Sequence, residues 1–63
     1  MNNPKRGEFW KGKIWPDVVF RIIIVSKKYN TVKAKIEQSG NSKDIGKYKD
    51  YILESFNQYY ELI

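Results

Sequence analysis

The longest apolar run in the chain is VVFRIIIVS, residues 18–26, and nearly all of its side chains are β-branched or aromatic. Such side chains suit a pleated strand and lose freedom in a helix. At period two, Phe20, Ile22 and Ile24 point to one face, and Val19, Arg21, Ile23 and Val25 to the other. Both faces are largely apolar, so the strand is expected to be covered on both sides or to lie at a subunit contact. KKYN follows as a polar turn, with Asn30 able to take a positive φ. Residues 31–37, TVKAKIE, then alternate cleanly: Val32, Ala34 and Ile36 face in, while Thr31, Lys33, Lys35 and Glu37 face out. Residues 18–37 therefore predict a β-hairpin, and QSGNSK predicts the next turn.

Upstream, residues 1–6 read as a flexible basic arm with nothing to bury. Gly7 breaks the chain, residues 8–11 form a short strand, and GKIWPD is punctuated as a loop by Gly12, Pro16 and Asp17. The tail admits two parses. Ile45, Tyr48, Ile52, Phe56, Tyr59 and Ile63 recur at steps of three and four, the spacing of one amphipathic helix lying on a β-hairpin or sheet. Gly46 and four tyrosines are poor material for that helix. The other parse is a strand over residues 45–51, a helical turn over 53–56 and a last strand, YYELI. No internal repeat or low-complexity segment interrupts the chain.

Sixty-three residues make one domain, here residues 7–63, whose burial on folding is marginal. The chain has no cysteine and no histidine, which removes disulfides and zinc sites of the usual kind as supports. Ten aromatic residues and the branched aliphatics must supply the core, and a homodimer is the other common support at this size. Secreted domains this small are usually rich in disulfides, so the expectation is a cytoplasmic protein. MNNPKRGEF lacks the apolar run of a signal peptide, and Ile22–Val25 is far too short to span a bilayer. The abundance of Lys, Ile, Asn and Tyr matches AT-rich codons, as in a low-GC bacterium, its phages or a thermoacidophile virus.

Charge is unevenly spread. Residues 1–35 carry nine Lys/Arg against Glu8 and Asp17, a balance of +7; the remainder carries −2, within a net charge of +5. A basic front half favours an anionic partner: nucleic acid, DNA or RNA, or an acidic protein surface. Membrane attraction needs a basic amphipathic helix, and the helix candidate lies in the acidic half, so no membrane partner is expected.

RGEFW near the start, the long Val/Ile strand and hairpin, and ILESFNQYYELI at the end together resemble the small SH3-like β-barrel proteins common among phage and mobile-element products. The positions that carry the resemblance are Gly7, Trp10, Leu53, Phe56 and Tyr60. It implies a mainly β fold, a five-stranded barrel with a short helical turn near the C-terminus. It also implies that Trp10 is a core residue, and that Trp15 lies in a long loop after the first strand, where such barrels often place ligand contacts. Residues 44–50 are more polar than the strand such a barrel would place there.

Catalysis is poorly supplied. Without His or Cys, the usual general base and nucleophile pairings are missing, the serines have no obvious activating partner, and no Gly-rich phosphate loop is present. The expectation is a protein that is not an enzyme and has neither metal nor cofactor. Binding is better supplied. Lys11, Lys13 and Trp15 lie in or beside the first loop; Lys33 and Lys35 project from one face of one strand; Arg21 lies on the strand beside it. These six make a basic stripe with an aromatic, suited to phosphates and a stacked base. Tyr29 is a second exposed aromatic. For any single lysine, simple solvation and protection of a strand edge explain as much. The alternative is a phage-type effector that occludes an acidic host protein through Trp15, Ile23, Val25 and Tyr59.

Overall fold

A computed structural model of the protein describes residues 3–63. The elements, in chain order, are β1 (Phe9–Gly12), β2 (Val19–Ser26), β3 (Thr31–Gln38), a 3-10 turn (Ser42–Asp44), β4 (Tyr48–Ile52), α1 (Leu53–Tyr59) and β5 (Tyr60–Leu62). All five strands join one antiparallel sheet in the order β4-β3-β2-β1-β5. The sheet is open: β4 ends it on one side and β5 on the other, with no pairing that closes the two edges.

The expected hairpin is present as β2 and β3, and Asn30 closes its turn at φ 57°, in the left-handed region that Asn tolerates. On β3 the alternation holds, with Val32, Ala34 and Ile36 buried. On β2 it does not. The register with β3 slips between Ile22 and Ile24, where a β-bulge gives β2 one extra residue. Phe20 and Ile22 face the core as expected, but past the bulge Val25 packs against the core and Ile24 turns out, 56% exposed. The expectation that Ile24 shares the face of Phe20 and Ile22, with Val25 on the other, is therefore reversed for both, because one added residue inverts a period-two pattern.

The tail follows the strand-and-turn parse, not the single helix. Gly46 sits at φ 92°, where a right-handed helix cannot run, and its N–H donates to Ile36 O, so this segment folds back onto β3. β4 therefore starts at Tyr48, three residues later than the expected strand. The Leu53 N–H donates to Asn30 O, anchoring the start of α1, and the helix runs to Tyr59, one turn longer than expected. It buries Leu53 and Phe56, three residues apart on one face.

The core lies between α1 and one face of the sheet: Trp10, Phe20, Ile22, Val32, Ala34, Ile36, Leu53 and Phe56. Phe56 is its hub, with ring centroids 4.8 Å from Tyr60, 5.4 Å from Trp10, 5.6 Å from Tyr51 and 6.0 Å from Phe20. Each such pair adds about 0.5–1.5 kcal/mol beyond its area burial, which matters in a chain with neither disulfide nor metal. The Trp10 indole N–H donates to Glu8 Oε1 at 3.3 Å, so the polar atom of this core ring is satisfied. Residues 1 and 2 of the N-terminal arm lie outside the described residues; beyond them, Pro4 is buried and the Asn57 side-chain amide donates to Asn3 Oδ1.

Candidate functional site

With one face of the sheet given to the core, the opposite face collects the alternate residues of all five strands. The pairing registers say which of them are neighbours. Lys35 on β3 stands beside Arg21 on β2, Arg21 beside Phe9 on β1, and Lys35 beside Tyr48 on β4. The order across the sheet is thus Tyr48–Lys35–Arg21–Phe9, two cations flanked by two aromatic rings. Both rings are exposed. Lys33 lies one pleat along β3, beside Ile24 on β2 and Asp50 on β4. Lys11 lies one pleat along β1, between Val19 on β2 and Glu61 on β5.

The charge asymmetry of the sequence becomes a pattern here. The basic half of the chain supplies the three central strands, and the acidic tail supplies both edges. Cations occupy the middle of the outer face, and Asp50 and Glu61 stand at its borders. One acid lies inside the border: Glu37 Oε1 is 3.9 Å from Arg21 Nε and 3.8 Å from Lys35 Nζ. These side chains keep roughly a third of their surface in water, so each pair contributes about 0–1 kcal/mol to stability.

Four of the six expected binding residues, Lys11, Arg21, Lys33 and Lys35, are therefore brought onto one face. Lys13 and Trp15 are not on it; they belong to the β1–β2 loop. That loop runs from residue 13 to residue 18. Gly12 N–H donates to Val18 O and Val18 N–H to Trp15 O, both at 3.1 Å, and Lys13 N–H donates to Tyr59 O. Trp15 O packs so close to Gly12 that a Cβ there would lie 2.5 Å from it, which favours glycine at this position. The two tryptophans have opposite settings: Trp10 is 3% exposed and Trp15 66%. Tyr29 is exposed on the β2–β3 turn with Lys28 Nζ 5.4 Å from its ring centre.

Of the alternative contact set, Ile23 is the half-buried residue of the bulge, Val25 belongs to the core margin, and Tyr59 is exposed at the end of α1. Sequence reasoning overlooked Phe9 and Tyr48 on the outer face. For Phe9 a signal existed: if Trp10 faces the core, its neighbour faces away. For Tyr48 the available signal, helical spacing, pointed elsewhere. Among the described residues, no group of three or more Asp, Glu, His or Cys could hold a metal ion, and no helix is long and apolar enough to cross a membrane. Comparison with protein families, curated proteins and solved structures finds no match to this chain.

Proposed function

We propose that the protein is a non-catalytic module that binds nucleic acid on the outer face of its sheet. The observation that carries this reading is the row Tyr48–Lys35–Arg21–Phe9, cations and aromatic rings set side by side across four strands. Arg21, Lys35, Lys33 and Lys11 would take phosphates, and Phe9 or Tyr48 a base. Trp15 is a further stacking ring at the loop, reached by a strand that runs off the face. Single-stranded nucleic acid fits best, because its bases are free to lie on exposed rings. The strand order and the helix placed before the last strand support an SH3-like small barrel whose edges are not bonded to one another. A phage or mobile-element source fits the same layout and the abundance of residues whose codons are AT-rich.

The test is a fluorescence titration with a short single-stranded oligonucleotide across a range of salt. Each neutralised phosphate adds about 0.7 to the slope of log affinity against log salt on single strands. Changing Lys11, Lys33 and Lys35 together to Gln lowers that slope by about 2 and leaves the far-ultraviolet circular dichroism unchanged. Absence of binding at low salt, or binding indifferent to the triple substitution, refutes the proposal.

A second reading draws on the exposed apolar residues Ile14 and Trp15 in the β1–β2 loop. As a protein-binding effector, the module would seat this loop, with Tyr59, on an acidic partner, and Trp15→Ala would abolish capture while the triple Gln variant only slowed it.

A further inference from the structure

Glu37 breaks the basic character of the outer face at its centre. It stands on β3 two residues after Lys35, on the same side of the sheet, and its Oε1 lies within 4 Å of both Arg21 Nε and Lys35 Nζ. A charge-assisted N–H···O bond is about 2.7–2.9 Å long, so this oxygen attracts two cations and is bonded to neither. Arg21 Nε and Glu37 Oε1 are both closed to solvent and have no hydrogen-bond partner. An acid oxygen set between an Arg and a Lys stands where a phosphate oxygen would stand in a complex.

We infer that Glu37 is an internal competitor for phosphate at this site. Without a ligand it holds the charges of Arg21 and Lys35 together. When a phosphate arrives, the carboxylate must give up its place. The two contacts are longer than charge-assisted bonds, and the side chains keep about a third of their surface in water, so the displacement is feasible. It still lowers affinity for any single anion. A ligand that presents several phosphates and a stackable base overcomes the competition through Lys33, Lys11 and the rings. Glu37 would thus favour a polymer over free phosphate. This inference rests on the nucleic-acid reading for its ligand, although its electrostatics apply to any phosphate.

The experiment compares the wild-type protein with Glu37→Gln, which keeps the shape and removes the charge. Two probes are used: a short oligothymidine, read by fluorescence, and tripolyphosphate, read by the shift in thermal midpoint. The expected result is tighter binding of both by Glu37→Gln, about fivefold or more, with a salt slope on the oligonucleotide steeper by about 0.7–1.4. Glu37→Ala must behave in the same way, which guards against an effect peculiar to the amide. Lys35→Gln must weaken binding more in the Glu37→Gln background than in the wild type, because Lys35 is then free to engage phosphate. Equal or weaker binding of both probes by Glu37→Gln makes Glu37 a positioning residue and overturns the inference. Tighter tripolyphosphate binding with no oligonucleotide binding by either protein upholds the competitor role and refutes the nucleic-acid reading. Oligonucleotide binding that Glu37→Gln leaves unchanged does the reverse.

Discussion

Single residues already show how little slack this fold has. Tyr51 lies on the core margin with its ring 5.7 Å from Phe20 and 5.6 Å from both Phe56 and Tyr60. Burial, and then the neighbouring Tyr60 side chain, raise its pKa well above the usual 10.0. The folded state therefore holds this proton more tightly than the unfolded chain. The resulting stability is fully present below about pH 10; it is lost as the pH climbs from there towards the raised value, because the unfolded chain ionises first. Urea unfolding at about pH 8 and about pH 11 checks this: the wild type loses more stability between the two than Tyr51→Phe does. Equal losses would show that the alkaline sensitivity lies elsewhere.

Among the elements, β2 decides the most. Its eight residues carry apolar side chains on both faces, and the bulge between Ile22 and Ile24 determines which of them go inside. The same substitution therefore has two outcomes within three residues. Ile22→Thr replaces a buried ethyl group with a hydroxyl in the core and costs about 2 kcal/mol or more. Ile24→Thr keeps a β-branched side chain on the outer face and stays within about 0.5 kcal/mol. Chemical denaturation of the two variants measures the contrast, and similar losses at both positions would mean that β2 has no bulge. The shift also sets the outer face: it places Ile24, not Val25, beside Lys33 there.

For the molecule as a whole, the last strand completes what the first begins. β1 is held between β2 and β5, and Tyr60 on β5 brings its ring to 5.0 Å from Phe20. A chain of this length has no second core to fall back on. Removing residues 60–63 strips β1 of a partner and Phe56 of its nearest ring, and the truncated chain is expected to lose its cooperative thermal transition. A sharp transition near the wild-type midpoint would show that β1–β4 and α1 stand without β5. The separation of charge works at this scale too. Under the proposed function, a basic centre with acidic borders would steer a polyanion to the middle of the face, an effect that fades as salt shortens the screening length.

Features that depend on neighbours along the chain were legible without any tertiary contact. The β-branched run made β2 a strand, the alternation of TVKAKIE chose the buried face of β3, and Asn30 made the turn between them. Cation placement on β3 followed from the same two-residue period, so Lys33 and Lys35 were legible as one outward pair. What depended on partners far away was not legible. Helical spacing in the tail competed with strand propensity, and the bond from Leu53 to Asn30 O, with the burial of Phe56 against Trp10, chose between them. The bulge in β2 left no mark in its composition; it is defined by pairing with β3, and it moved Val25 inward. Register alone put Phe9 beside Arg21 and Tyr48 beside Lys35, and the open sheet left both rings in water. Periodicity is a property of the pleat and can be read from a strand in isolation. Register is a property of two strands packed over one core, and only the tertiary structure sets it.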